Sequence, residues 1–246
     1  MIDYDPSRYG ELWAAAYDRH YGPWSGELNP AAVVRFIRSR ASDGPVLELG
    51  VGTGRVAIPL VASGSEVHGL DSAPAMLAEL AAKPGGGSVH LILANMADFS
   101  SDRSYAAVIC LFNSLLLLPT MDLQRRCFKN VARSLKSGGA FIVEAMVPDF
   151  TGLRDDRAVQ ILDTPLGTEK RVTIRDRRAR TLYSTYFDAE RPTNPVREVL
   201  LRYTSTDEMD EMAADAGFHL AERWSDWEGS PFTRQSRAHV SVYRRR

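Results

Sequence analysis

The chain has 246 residues, 44% hydrophobic and 25% charged, which suits one α/β domain with an insertion and a core that needs no covalent staple. Thirty basic and 31 acidic side chains leave a formal charge of −1, which removes the usual electrostatic case for a nucleic-acid partner. Cys110 and Cys127 both lie in core-like patterns, so no disulfide framework is expected.

In chain order, Asp5-Pro6 has the form of a helix N-cap followed by proline at N1. Tyr9, Trp13, Tyr17 and Tyr21 then recur every fourth residue, placing four aromatic rings on one helical stripe. A second helix is expected over Ala31 to Arg40, ended by Asp43-Gly44-Pro45. Beyond it strands and helices alternate. Val46 to Leu49 is a strand, a glycine turn follows, and a helix covers Val56 to Ala62. Glu66 to Leu70 is a strand ending at Asp71, with a helix through Met76 to Leu80. Val89 to Leu93 and Tyr105 to Leu111 are strands, Leu123 to Leu135 a helix, Lys136 to Gly139 a turn and Ala140 to Ala145 a fifth strand. This alternation predicts a parallel sheet with right-handed crossovers.

After Pro148 the period changes to two. Arg171 to Arg175, Thr181 to Phe187 and Val196 to Tyr203 are expected to form an antiparallel flap. The α/β pattern resumes with a helix over Asp207 to Ala216, Gly217 as its C-cap, and strands at Phe218 to Trp224 and Ala238 to Tyr243. The expected organisation is cap helices over 1–44, a nucleotide-binding core over 45–147, the flap over 148–205 and completion of the core sheet over 206–246. No apolar run approaches the ~20 residues of a membrane span. Met1 to Pro6 lacks the regions of a signal peptide, so a cytoplasmic location without membrane partners is expected.

The chemistry concentrates in the first turns. Val46-Leu47-Glu48-Leu49-Gly50-Val51-Gly52-Thr53-Gly54 joins a buried strand to a helix through glycines that let a ligand approach the backbone. Asp71, at the end of the next strand, can accept both hydroxyls of a ribose. A dinucleotide fingerprint would place the third glycine where Arg55 stands, which argues against a nicotinamide-dependent oxidoreductase.

Glu48-Leu49-Gly50-Val51-Gly52-Thr53-Gly54 resembles motif I of the class I S-adenosylmethionine (SAM)-dependent methyltransferases. Leu70 to Leu77, Ala94 to Phe99, Leu135 to Gly139 and Ala216-Gly217-Phe218 are similar to later motifs of that family, in the same order. The resemblance implies a Rossmann-like, mostly parallel sheet of seven strands flanked by helices, with the cap helix and the antiparallel insertion after strand five. It implies SAM as cofactor and S-adenosylhomocysteine as product. Gly50, Gly52 and Gly54 would lie under the methionine portion, with Glu48 contacting or bracing the loop and Asp71 on the ribose. Ser72 and Met76 would flank ribose and adenine, Asn95 and Met96 would meet the adenine edge, and Leu111 and Phe112 would wall the cofactor. Many relatives carry aspartate where Asn95 stands, so that contact is altered in detail.

Phe112-Asn113-Ser114-Leu115 carries no Asn/Asp-Pro-Pro-aromatic motif of the kind found in enzymes that methylate nucleic-acid or amide nitrogens. No His/Cys/Asp cluster has metal-ligand spacing, so no metal is expected. A small-molecule acceptor is therefore expected, methylated on nitrogen or oxygen. The cap helix and flap are similar in placement to those of glycine N-methyltransferase and the deoxyamino-sugar N-methyltransferases. That likeness implies Tyr17 and Tyr21 near the SAM carboxylate or sulfonium, and Trp13, Phe112 and Asn113 near the substrate. His20 and Glu144 are the candidate bases. A homodimer is left open, as is an alternative in which the SAM fold catalyses a cyclisation or rearrangement without net methyl transfer.

Overall fold

The computed structural model describes residues 6–21, 29–150, 153, 155–164, 167–190 and 195–246; the expected cap at Asp5 lies outside them. Helices α1 (Pro6–Tyr21) and α2 (Pro30–Arg40) lead into strand β1 (Val46–Leu49). There follow α3 (Ala57–Ala62), β2 (Val67–Asp71), α4 (Pro74–Ala82), β3 (His90–Leu93), β4 (Tyr105–Cys110), α5 (Met121–Ser134) and β5 (Leu135–Met146). Four strands, β6 (Arg157–Asp163), β7 (Glu169–Asp176), β8 (Thr181–Asp188) and β9 (Pro195–Arg202), precede α6 (Thr206–Asp215), β10 (Phe218–Trp224) and β11 (Ala238–Arg245).

The main sheet has the expected seven strands, in the order β10-β11-β5-β4-β1-β2-β3. All neighbours are parallel except β11, which runs against both β5 and β10. Strand alternation splits its apolar residues between two cores. Leu47, Leu49, Val108, Cys110 and Phe141 face Phe128 of α5 and Met212 of α6. Val46, Ala107, Ile109 and Ile142 face Val33 and Ile37 of α2 and Leu60 of α3. Both cysteines are free and buried.

The helix caps follow local chemistry. Thr120 accepts the Leu123 N–H at the start of α5, and Ser205 with Glu208 forms a capping box at α6. The turn expected over Lys136 to Gly139 falls inside the span of β5. Tyr105 pairs with Leu135 and Ala107 with Ala140, so the intervening residues loop out of register, with Gly138 at φ +72°.

The antiparallel flap is a meander, β6-β7-β8-β9, with one strand more than the sequence pattern shows. β6 sits at its edge with Val159 and Ile161 66% and 65% exposed, so it lacks the half-buried alternation by which a strand is read. A third core joins flap to helices: Trp13 and Ala14 of α1, Ala73 and Met76 by α4, Tyr186 of β8 and Val199 of β9. Among the described residues, no helix is long and apolar enough to cross a membrane.

Candidate active site

Strand order reverses between β1 and β4, so the segments leaving their carboxyl ends diverge and a crevice opens between them. In the turn after β1, Gly50, Gly52 and Gly54 adopt φ of +67°, +53° and +82°, a left-handed backbone that residues with a Cβ resist. A Cβ on Gly50 would meet Ser114 Oγ at 2.8 Å, and one on Gly54 would meet Leu80 Cγ at 2.7 Å. Gly52 faces open space and presents bare backbone to the crevice.

Asp71 closes the turn from β2. Its Oδ2 accepts the Gly52 N–H at 2.9 Å and its Oδ1 accepts the Ala73 N–H at 3.0 Å. Burial raises its pKa above the ordinary carboxylate value, while the N–H groups of Ala73, Gly52 and Ser72 oppose that rise. Leu70, Ser72, Met76, Asn95 and Met96 continue the wall, and Asn95 Oδ1 accepts the Ala97 N–H at 2.8 Å. The groove is a narrow cleft that opens to solvent at its mouth.

Helix α1 covers the groove with Tyr9, Gly10 and Tyr17. It lies close because residue 10 has no side chain: a Cβ there would stand 2.1 Å from Ala73 Cβ. One turn before its end, Asp18 accepts the Thr53 hydroxyl at 2.7 Å and pairs with Lys83. Lys83 also donates to Thr53 O at 2.7 Å. The covering helix is thus tied to the glycine turn itself. Burial raises the Tyr17 pKa, partly offset by Arg55.

The loop after β4 supplies the opposite wall. Phe112 and Asn113 both have positive φ, +52° and +65°, unusual for phenylalanine. Glu144 accepts the Phe112 N–H, and Asn113 Oδ1 accepts the Met146 N–H at 2.7 Å, so β5 holds the loop in this conformation. The Phe112 ring lines the groove with the Arg55 guanidinium 3.7 Å from its centroid. Burial pushes the Glu144 pKa up to about 7, against the Phe112 N–H and Arg55. Glu48 is buried behind the turn, accepts the Ala57 N–H, and leaves Oε2 without a partner. Burial pushes its pKa up to about 8.

Of the residues singled out from sequence, Tyr17, Gly50, Gly52 and Asp71 line the groove, as do Ser72, Met76, Asn95, Met96 and Phe112. Gly54 and Glu48 support the turn from behind. Leu111 packs in the core with Ile109, and Asn113 and Glu144 hold the Phe112 loop. Trp13 is fully buried, donates Nε1–H to Glu198 O at 3.3 Å, and packs edge-on against His20 and Tyr186 at 5.0 and 4.8 Å. His20 lies in that aromatic cluster rather than along the groove, with Nδ1 unpartnered. Burial, then Arg197, lowers its pKa. Tyr21 hydrogen-bonds with Tyr186 and Tyr9, and burial raises its pKa. Tyr9, Ser114 and Leu117 also line the groove. Tyr9 shares the tyrosine stripe and was legible as a candidate; Ser114 and Leu117 depend on how the loop folds back.

Residues 46–139 match the family described as a methyltransferase domain. Over its whole length the chain is similar to the CcbJ methyltransferase from Streptomyces caelestis, with 34% identity over 98% of this chain and 99% of that one and a TM-score of 0.87. It is similar to CalS10, a SAM-bound amino pentose methyltransferase from Micromonospora echinaspora involved in calicheamicin biosynthesis. There the identity is 25%, over 96% and 97% of the two chains, at a TM-score of 0.67. The cypemycin N-terminal methyltransferase of a Streptomyces species is 27% identical over 248 residues, 98% of this chain and 99% of that protein. Full-length similarity on this scale shows that the chain belongs to the SAM-dependent methyltransferases.

Proposed function

We propose that this enzyme transfers the methyl group of SAM to an amine nitrogen of a small molecule. The observation that carries the reading is that both candidate bases are committed to structure: His20 packs against Trp13 and Tyr186, and Glu144 accepts the Phe112 N–H. A hydroxyl acceptor needs a base to remove its proton, whereas a neutral amine brings its own lone pair. Neither His20 nor Glu144 lines the groove. The relatives named for an amino pentose and for an N-terminus are methyltransferases whose named substrates carry an amine.

The groove fits the cofactor: bare backbone at Gly52, a strand-end carboxylate at Asp71 and an apolar wall at Leu70 and Met76. In this reading Gly50 and Gly52 bind the methionine portion, with Gly54 shaping the turn and Glu48 bracing it. Asp71 takes the ribose hydroxyls. Ser72, Met76, Asn95 and Met96 hold ribose and adenine. Tyr17 closes the mouth, with Tyr21 behind it bracing Tyr9, and Phe112 separates cofactor from acceptor, with Leu111, Asn113 and Glu144 fixing its position. Trp13 and His20 seat the covering helix on the flap. SAM supplies an electrophilic methyl group on a sulfonium; the protein's task is to align the acceptor lone pair in a dry site. The same reading places the enzyme in the cytoplasm, acting without a nucleic-acid partner.

The test is methylation of matched acceptor panels, amino sugars and secondary cyclic amines against sugar alcohols and phenols, followed by mass spectrometry. Addition of one methyl group to amines alone is expected. Turnover confined to alcohols or phenols would reject the amine assignment.

A further inference from the structure

Along the sequence Glu66, His68 and His90 have no metal-ligand spacing, but strand pairing brings them together. His68 stands in register with His90 across the β2–β3 ladder, and Glu66, two residues before His68, shares its face. One ligand atom from each lies within 4.8 Å of the others. His68 Nε2 is 3.3 Å from Glu66 Oε1, and the two imidazole centroids are 4.7 Å apart. Atoms bound to one zinc at roughly 2.0–2.2 Å are at most about 4.4 Å apart, so small side-chain adjustments close the triad. From these positions we propose that Glu66, His68 and His90 form a transition-metal site at the amino-terminal ends of β2 and β3.

His68 has the support that metal-bound histidines have. Its Nδ1 lies 3.3 Å from the hydroxyl of buried Tyr105, which orients the ring and turns Nε2 toward Glu66. Glu66 and His90 are exposed, so solvent can complete the coordination. Two imidazoles and one carboxylate suit Zn²⁺, Co²⁺, Ni²⁺ or Cu²⁺ and disfavour Mg²⁺ and Ca²⁺. Arg103, 2.8 Å from Glu66 Oε1, is the competing cation. The site is separate from methyl transfer: His68 precedes Asp71 by three residues, about 10 Å along the strand, and the groove lies at the opposite, carboxyl end. A bound ion would link the edge strand β3 to β2 and stabilise the native state.

The experiment uses tag-free, metal-stripped enzyme titrated with Zn²⁺ alone by calorimetry and with Co²⁺ alone by visible absorption, with Mg²⁺ as the comparison. One saturating Zn²⁺ per chain is expected, with a rise in Tm and no response to Mg²⁺. His90→Gln and Glu66→Gln change exposed side chains and should keep wild-type affinity for S-adenosylhomocysteine while losing stoichiometric Zn²⁺ binding. Tyr105→Phe should weaken Zn²⁺ roughly 10–100-fold, as loss of a ligand's supporting hydrogen bond does, and Arg103→Ala should tighten it. Absence of saturable binding, or binding by His90→Gln and Glu66→Gln equal to wild type (an adventitious ion only), overturns the site. Loss of S-adenosylhomocysteine binding with Zn²⁺ binding intact would instead count against the cofactor groove.

Discussion

Glu48 shows how a residue beside the cofactor turn stores pH sensitivity. Its carboxyl is buried, one oxygen has no partner, and burial lifts its pKa from 4.5 to about 8. Between those values the folded chain keeps a proton that the unfolded chain has released, so native protons exceed unfolded ones and stability falls as pH rises. The stabilisation is complete below about pH 4.5 and gone above about pH 8, with a steepest slope near 1.4 kcal/mol per pH unit for one proton. Glu144, lifted to about 7, adds a slope of the same sign. Glu48→Gln keeps an acceptor for the Ala57 N–H and removes the titration. Its Tm should therefore decline less than wild type between pH 5 and 8. Parallel Tm profiles for the two proteins would mean that Glu48 is ionised when folded. At this scale the sequence was informative where chemistry is local: Gly50 to Gly54 and Asp71 declare themselves by residue type and spacing. It was uninformative about Glu144 and Asn113, whose hydrogen bonds to the Phe112 loop and to β5 exist only once that loop has folded back.

At the scale of elements, α1 depends on one missing methyl group. Glycine inside a helix ordinarily costs about 0.5–1 kcal/mol relative to alanine, so Gly10→Ala in isolation would stabilise the helix. Here the added Cβ would stand 2.1 Å from Ala73 Cβ, at the N-cap of α4, and both backbones must separate. The sign should invert, with a net loss of about 1–3 kcal/mol, typical of overpacking. Tyr9 and Tyr17 move with the helix, so affinity for S-adenosylhomocysteine should fall as well. Urea unfolding and calorimetry on Gly10→Ala check both; a more stable variant with unchanged affinity would show that α1 does not close the groove. The four-residue aromatic spacing revealed the stripe on α1 from sequence, because helical periodicity is local. It could not reveal what the stripe packs against. Trp13 and His20 read as substrate or base candidates, and packing on Tyr186 and Val199 gives them neighbours more than 160 residues away. β6 escaped notice for the complementary reason: as an exposed edge strand it carries no half-buried alternation to read.

Across the whole molecule α1 is the piece that the core and the flap share. One side meets Ala73 and Met76 at the start of α4; the other gives Trp13 to Tyr186 and to the Glu198 carbonyl of the flap. Its Asp18 is bound to Thr53 in the glycine turn and to Lys83 beyond α4. A ligand held by Gly52, Asp71 and Tyr17 therefore bears on three parts of the chain that are distant in sequence. Local opening is governed by how many of these contacts must break together. S-adenosylhomocysteine should slow hydrogen exchange in α1 and in β8 and β9 as well as in the turn and β2. Trp13→Phe removes the hydrogen bond to the Glu198 carbonyl while keeping an aromatic ring. It should preserve slowed exchange in the turn and reduce it in β8 and β9. If protection in the wild-type protein stops at the turn and β2, then α1 does not couple cofactor binding to the flap, and the acceptor space beneath them is formed independently of the cofactor.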